Sequence, residues 1–161
     1  MKKSTLNKQG FTLIELIMVM IILGILSAVA IPRYLETIQK SEIAAQDAII
    51  GKITVALENY AQHQMITEGR RVWPSNPFDA LDTTPQTYTD DGTAADTDNE
   101  WTFVEEAAGD YTGRITHQRA DNTRWEWSYN SGLNSGTDDD AIGIVYVRSE
   151  LGTRGTMALY P

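Results

Sequence analysis

Apolar and polar positions divide the chain into three stretches of different period. Phe11 to Ile31 is a run of 21 residues whose only charge is Glu15, and a helix of that length spans roughly 30 Å, enough to cross a bilayer. After Pro32 the apolar positions Leu35, Ile38, Ala45, Ile49, Ile53, Ala56, Leu57 and Tyr60 recur every three or four residues. That period predicts an amphipathic helix to about His63, within a segment 32–66. From Glu68 to Glu100, Gly, Pro, Asp and Thr dominate. Pro74, Pro77 and Pro85 forbid a long helix and Asp90-Asp91-Gly92 reads as a turn, so 67–100 is expected to be a loop.

At Trp101 the period becomes two. Trp101 and Phe103 alternate with Thr102 and Val104, and Ile115 and His117 follow. Trp125, Trp127 and Tyr129 then share one face while Arg124, Glu126 and Ser128 share the other. Ile142 to Arg148 is apolar on both sides and reads as a central strand, and Met157 to Tyr160 is expected either to close the sheet or to tuck the carboxyl terminus onto it. Ala120-Asp121-Asn122 and Gly132 to Asp140 suit hairpin connections. The expected fold class is α+β, a long amino-terminal helix packed on a small antiparallel β-sheet in 101–161.

Smaller features refine this picture. Gly24 weakens the helix and Pro32 removes the bond to the carbonyl of Ala28, so a kink or an extensible stretch is expected between them. Arg33, Glu36, Lys40, Glu42, Asp47, Lys52 and Glu58 form a polar helix face of mixed sign. In the loop, Val72-Trp73, Phe78 and Leu81 are apolar enough to pin one part onto the domain, whereas Thr87 to Asn99 is polar and expected to be exposed and mobile. The aromatic ladder Trp125, Trp127, Tyr129 is expected to pack on the helix rather than bind sugar.

Charge and composition narrow the functions. The chain has 13 Lys+Arg against 22 Asp+Glu. If residues 1–10 are removed with their three lysines, the ten basic residues left face 22 acidic ones, a net charge of −12. Nucleic-acid binding by bulk charge is therefore not expected. With no cysteine, disulfides, zinc thiolates and cysteine nucleophiles are excluded. There is no phosphate-binding glycine loop, HExxH pair or nucleophile elbow, and His63 and His117 stand apart, so an enzyme is not expected.

The chemistry gathers at the start of the apolar run. Lys2, Lys3 and Lys8 precede it, which places the leader in the cytoplasm and the bulk of the chain across the membrane. Three readings compete: a secretory signal cut after Ala30 in Ala28-Val29-Ala30, a plain anchor, or a segment in which Glu15 has a partner. A carboxylate in a membrane helix costs on the order of 2.5–3.5 kcal/mol, and neither of the first two readings accounts for it.

The lysine-rich leader, Gly10, Phe11, Thr12-Leu13-Ile14-Glu15-Leu16 and the apolar tail together resemble the class III signal of type IV prepilins and type II secretion pseudopilins. The resemblance covers about the first third of the chain. It implies that prepilin peptidase, which is also the methyltransferase, cuts after Gly10 (leader 1–10) and methylates Phe11. It also implies that 11–31 forms the filament core and that Glu15 pairs with the Phe11 amine of a neighbouring copy. The implied partners are the membrane, copies of the chain itself, an inner-membrane assembly platform and a cytoplasmic assembly ATPase. The implied place is the inner membrane, then an extracellular pilus or a periplasmic pseudopilus.

Within that family, Trp73-Pro74-Ser75-Asn76-Pro77-Phe78-Asp79 is closer to pilins of the mannose-sensitive haemagglutinin kind. Many pilins staple a carboxyl-terminal loop with two cysteines. Here that loop has to be held by packing or metal. No cofactor is expected beyond calcium as a weak candidate: Asp96 and Asp98, or Asp138, Asp139 and Asp140, could gather around that ion, although an EF-hand loop is absent.

Overall fold

The computed structural model describes residues 10–106, 111–132 and 142–153. Two compact units divide the chain, 1–43 and 44–161. A single α-helix, α1 (Leu13–Glu68), runs through the boundary and continues unbroken across Gly24 and Pro32. It ends where Gly69 takes a positive φ of 77°, the left-handed conformation that terminates helices and that glycine adopts without steric cost.

From Leu13 to Leu35 the large apolar side chains of α1 are exposed, from 46% at Ile17 to 76% at Leu13, while Ile38 and Ile43 are half-buried. Burial of the exposed run must come from lipid or from other chains. In the second unit the helix presents Gln46, Ile53, Leu57 and Ala61 as its buried stripe, with Ile49 and Ile50 half-buried. Ala45, expected on that stripe, is exposed, and the polar Gln46 takes the inward place.

Opposite this stripe lies a six-stranded sheet: β1 (Tyr88–Thr89), β2 (Trp101–Glu105), β3 (Gly113–Gln118), β4 (Thr123–Asn130), β5 (Ile144–Val145) and β6 (Ser149–Thr153). Strands β2, β3 and β4 form an antiparallel meander in which Phe103, Ile115 and Trp127 are register partners, so one face is a continuous apolar row. Ile53 and Leu57 join Phe78, Trp101, Phe103, Ile115, Trp127 and Tyr129 in one core. The β3–β4 connection is Ala120-Asp121-Asn122. The amide of Asn122 donates to the Arg119 carbonyl at 3.1 Å, Asn122 sits at φ 65°, and Asp121 Oδ1 accepts from the Thr123 amide at 2.9 Å. This is a three-residue hairpin with Asn in the left-handed position.

Three expectations change. First, the sheet is mixed: β1 pairs parallel with β2, Tyr88 opposite Trp101. Tyr88 stacks on Phe78 at 4.1 Å and Ala95 is fully buried, so Thr87 to Asn99 is anchored at two points rather than wholly exposed. Second, 142–148 is not a central strand. Only Ile144–Val145 pairs, at one end of the sheet, opposite Tyr129 and Asn130. The chain then leaves the edge, with Val147 90% exposed, and returns as β6 opposite Thr123 to Glu126 of the same strand β4. Third, Glu126 on the polar face of β4 is buried, held by Arg114 Nη1 at 3.2 Å and by the Ser149 hydroxyl at 3.2 Å. Met157 to Tyr160 and most of the Gly132 to Asp140 connection lie outside the described residues.

Leu57 is 1% exposed at the centre of the helix–sheet contact. Truncation leaves a cavity, and Leu57→Ala is expected to cost about 3 kcal/mol. Denaturant unfolding of the detergent-solubilised chain, followed by tryptophan fluorescence, will show the lower midpoint.

Candidate functional site

Gly10 and Phe11 lie just before α1, Phe11 being 89% exposed. Thr12 caps the helix: its carbonyl accepts the first helical bond from the Leu16 amide at 3.3 Å. Glu15 occupies the third helical position. Its Oε2 accepts from the Thr12 amide at 2.8 Å and the Thr12 hydroxyl at 2.7 Å, and Thr12 Oγ1 accepts from the Glu15 amide at 3.3 Å. Side chain and backbone thus satisfy each other at two helix-end donors that would otherwise be unpaired, in a reciprocal capping box. Both bonds to the carboxylate fall on one oxygen and leave Oε1 to another donor.

The sequence already carried the signal for Thr12, a threonine three residues before a glutamate at the head of an apolar run. The acid alone drew notice there. Gly24 stands at an open place on the helix, since a Cβ there meets nothing within 4 Å. Packing within one chain therefore does not require it.

The other candidates divide. Asp96 and Asp98 are exposed, and beside them Glu100 turns its carboxylate onto the amides of Asp96 and Thr97 at 2.9 and 3.0 Å. Among the described residues no three His, Cys, Asp or Glu side chains gather to hold a metal ion. Asp138, Asp139 and Asp140 lie outside the described residues. Of the ladder, Trp127 and Tyr129 are in the core, while Trp125 is half-buried beneath the guanidinium groups of Arg119 and Arg148, 4.5 and 4.7 Å away. Arg71 pairs with Glu58 and lies over the Trp73 ring at 5.2 Å. His63 is exposed. His117 is buried and bonded to Gln46, a contact that no sequence period announced.

Residues 5–31 match the family described as the prokaryotic N-terminal methylation motif. The chain is 43% identical to the type IV major fimbrial protein of Dichelobacter nodosus over 51 residues, which are 32% of this chain and 33% of that protein. It is 38% identical to the type IV major pilin protein of Neisseria gonorrhoeae over 76 residues, 45% of this chain and 31% of that one. The amino-terminal part of the chain thus carries the type IV pilin methylation motif and is similar to type IV fimbrial proteins. A longer match joins the chain to a fimbrial protein of Pseudomonas aeruginosa, 29% identical over 71% of this chain and 61% of the relative. The alignments with the Dichelobacter and Neisseria proteins span only about a third of those relatives' length, and the family match at 5–31 contains Gly10, Phe11 and Glu15. These relatives are fimbrial proteins rather than enzymes. No solved structure matches the chain.

Proposed function

We propose that this chain is a structural subunit of a type IV pilus. Residues 11–31 hold it in the bacterial inner membrane with the leader in the cytoplasm. Prepilin peptidase cuts after Gly10 and methylates Phe11, and an assembly platform with a cytoplasmic ATPase draws the subunits into an extracellular filament for adhesion or motility. The observation that carries this reading is Glu15, the one charge in an apolar run whose side chains nothing else in the first unit buries.

Cutting at Gly10 creates an ammonium on Phe11 one helical turn from the Glu15 carboxylate. In an apolar bundle each charge requires a partner. Moving the helix from lipid into a bundle of identical helices exchanges one apolar medium for another, so the hydrophobic effect gives little register. The pairing of Phe11 with Glu15 of a neighbour supplies it, through the oxygen that the Thr12 cap does not use. Gly24 and Pro32 add a section of α1 that can lengthen as the subunit fits the filament. Calcium at the acidic loops is an auxiliary possibility that calorimetric titration decides.

Mass spectrometry of the amino terminus tests the reading. Methylated Phe11 is the expected result; a mature start at Ile31 would mean a secreted monomer. The fimbrial relatives favour a pilus over a secretion pseudopilus. Deleting the protein is expected to remove surface filaments while enzyme secretion persists.

A further inference from the structure

Gln46 is 1% exposed and is the one polar residue on the buried stripe of α1. Its Oε1 accepts from Arg119 Nη2 at 2.5 Å and from Arg148 Nη1 at 3.2 Å. A guanidinium has donors only and keeps its proton, so the amide can face these two groups only with its oxygen. The NH2 end therefore points the other way, at His117 Nδ1, 2.7 Å off. Nδ1 must then be an acceptor. The neutral ring carries its proton on Nε2, a tautomer dictated by the two arginines through one amide.

The surroundings of the ring oppose a charge on it. His117 is 6% exposed and lies against the Trp101 ring of β2 at 4.3 Å, tilted by 35°. From its own strand's end Arg119 faces it. From α1 come Gln46 and Asp47, the latter 67% exposed and 4.0 Å from Arg148. The segment before β6 supplies Arg148, and β4 supplies Trp125, over which both guanidinium groups lie. Burial first, then the charge of Arg119, lowers the imidazole pKa from 6.5 to about 4.

We propose that Gln46, His117, Arg119 and Arg148 form an acid-labile latch between the second half of α1 and the sheet. Protonating His117 places an N–H on Nδ1 against the Gln46 NH2. Turning the amide over gives His117 an acceptor but aims the NH2 at two guanidinium groups. In either orientation two donors meet, and a third positive charge has entered a site that already holds two.

The direction of the pH effect follows from the depressed pKa. Stability from the latch is complete above pH 6.5, where the opened ring is also neutral. It falls as pH drops, because the opened state takes up a proton that the closed state refuses, and the loss levels off near pH 4. The opening equilibrium rises up to tenfold per pH unit across that window, roughly 300-fold in all.

Hydrogen exchange of the helix amides 44–50 in the full-length protein in detergent micelles tests the latch. The pair to compare is wild type and His117→Asn, whose side chain offers an oxygen near the Nδ1 position and does not titrate. Between pH 7 and pH 4.5 wild type is expected to lose most of its protection relative to the variant. Equal loss in both would overturn the proposal. Nitrogen NMR of the wild-type ring gives an independent reading that needs no variant: an Nε2–H tautomer with titration well below 6.5 supports the latch, and an Nδ1–H tautomer or a pKa near 6.5 overturns it.

Discussion

Glu15→Gln is expected to be cut after Gly10 and methylated on Phe11 like wild type, and to yield filaments reduced by about ten- to a hundredfold. The reasoning separates two jobs of one side chain. In the single chain Glu15 closes the capping box with Thr12, and glutamine does this equally well, because the box needs only an oxygen to reach back to the Thr12 amide. What glutamine lacks is the charge. A hydrogen bond to a charged group contributes about 1.5–3 kcal/mol, which sets the expected factor at each subunit joint. Glu15→Ala removes both jobs and should assemble no better. Thr12→Ala removes the hydroxyl half of the cap, costs about 1 kcal/mol of helix stability, and should reduce filaments far less. Comparing sheared filaments with the membrane pool by immunoblot gives the answer. Normal filament yield from Glu15→Gln would leave Glu15 as a helix cap alone.

That separation was only half legible in the sequence. The charge in the apolar run stood out because it opposes its surroundings. The capping partner stood out less: the threonine three residues before Glu15 is the sequence signature of a capping box, but it opposes nothing in its surroundings. The same contrast runs through the head. β2, β3 and β4 announced themselves because alternation over five to eight residues has one physical cause, a sheet whose two faces differ, one apolar and one polar. The stretch 142–148 misled because an apolar run on both faces reads as a central strand. Its course is set instead by Gly143 at φ 78° and by Arg148, whose guanidinium lies over Trp125. β1 is two residues long and pairs with a strand twelve residues on, so no local period marks it. Gln46 was invisible for a related reason: helical period favours apolar residues at inward positions, and a buried amide is tolerated only because partners from distant segments satisfy every bond it makes.

Gly143→Ala is expected to destabilise the head by about 2–5 kcal/mol, and the reason lies in how a chain without cysteines holds its closing segment. Gly143 has a positive φ of 78°, which costs a side-chain-bearing residue roughly 1–2 kcal/mol. A Cβ there would also enter the van der Waals envelope of the Trp73 indole at Nε1 and Cε2, and overpacking of this kind costs about 1–3 kcal/mol. The glycine therefore lets the closing segment lie flat on Trp73. Around it, the Gly143 amide donates to the Asn130 carbonyl at 2.7 Å, the Tyr146 amide to Ser128 at 2.9 Å, and the Tyr129 hydroxyl to the Pro74 carbonyl at 2.8 Å. Trp73 joins the loop to the closing segment, and Pro74 joins it to β4. Trp73→Ala tests whether the indole is the obstacle, since emptying its place gives the new methyl room. Thermal unfolding of both single variants and the double variant should show a double loss smaller than the sum by about 1 kcal/mol or more, as expected for residues in contact. Strict additivity would instead leave Gly143 as a purely backbone requirement and remove Trp73 from the clamp.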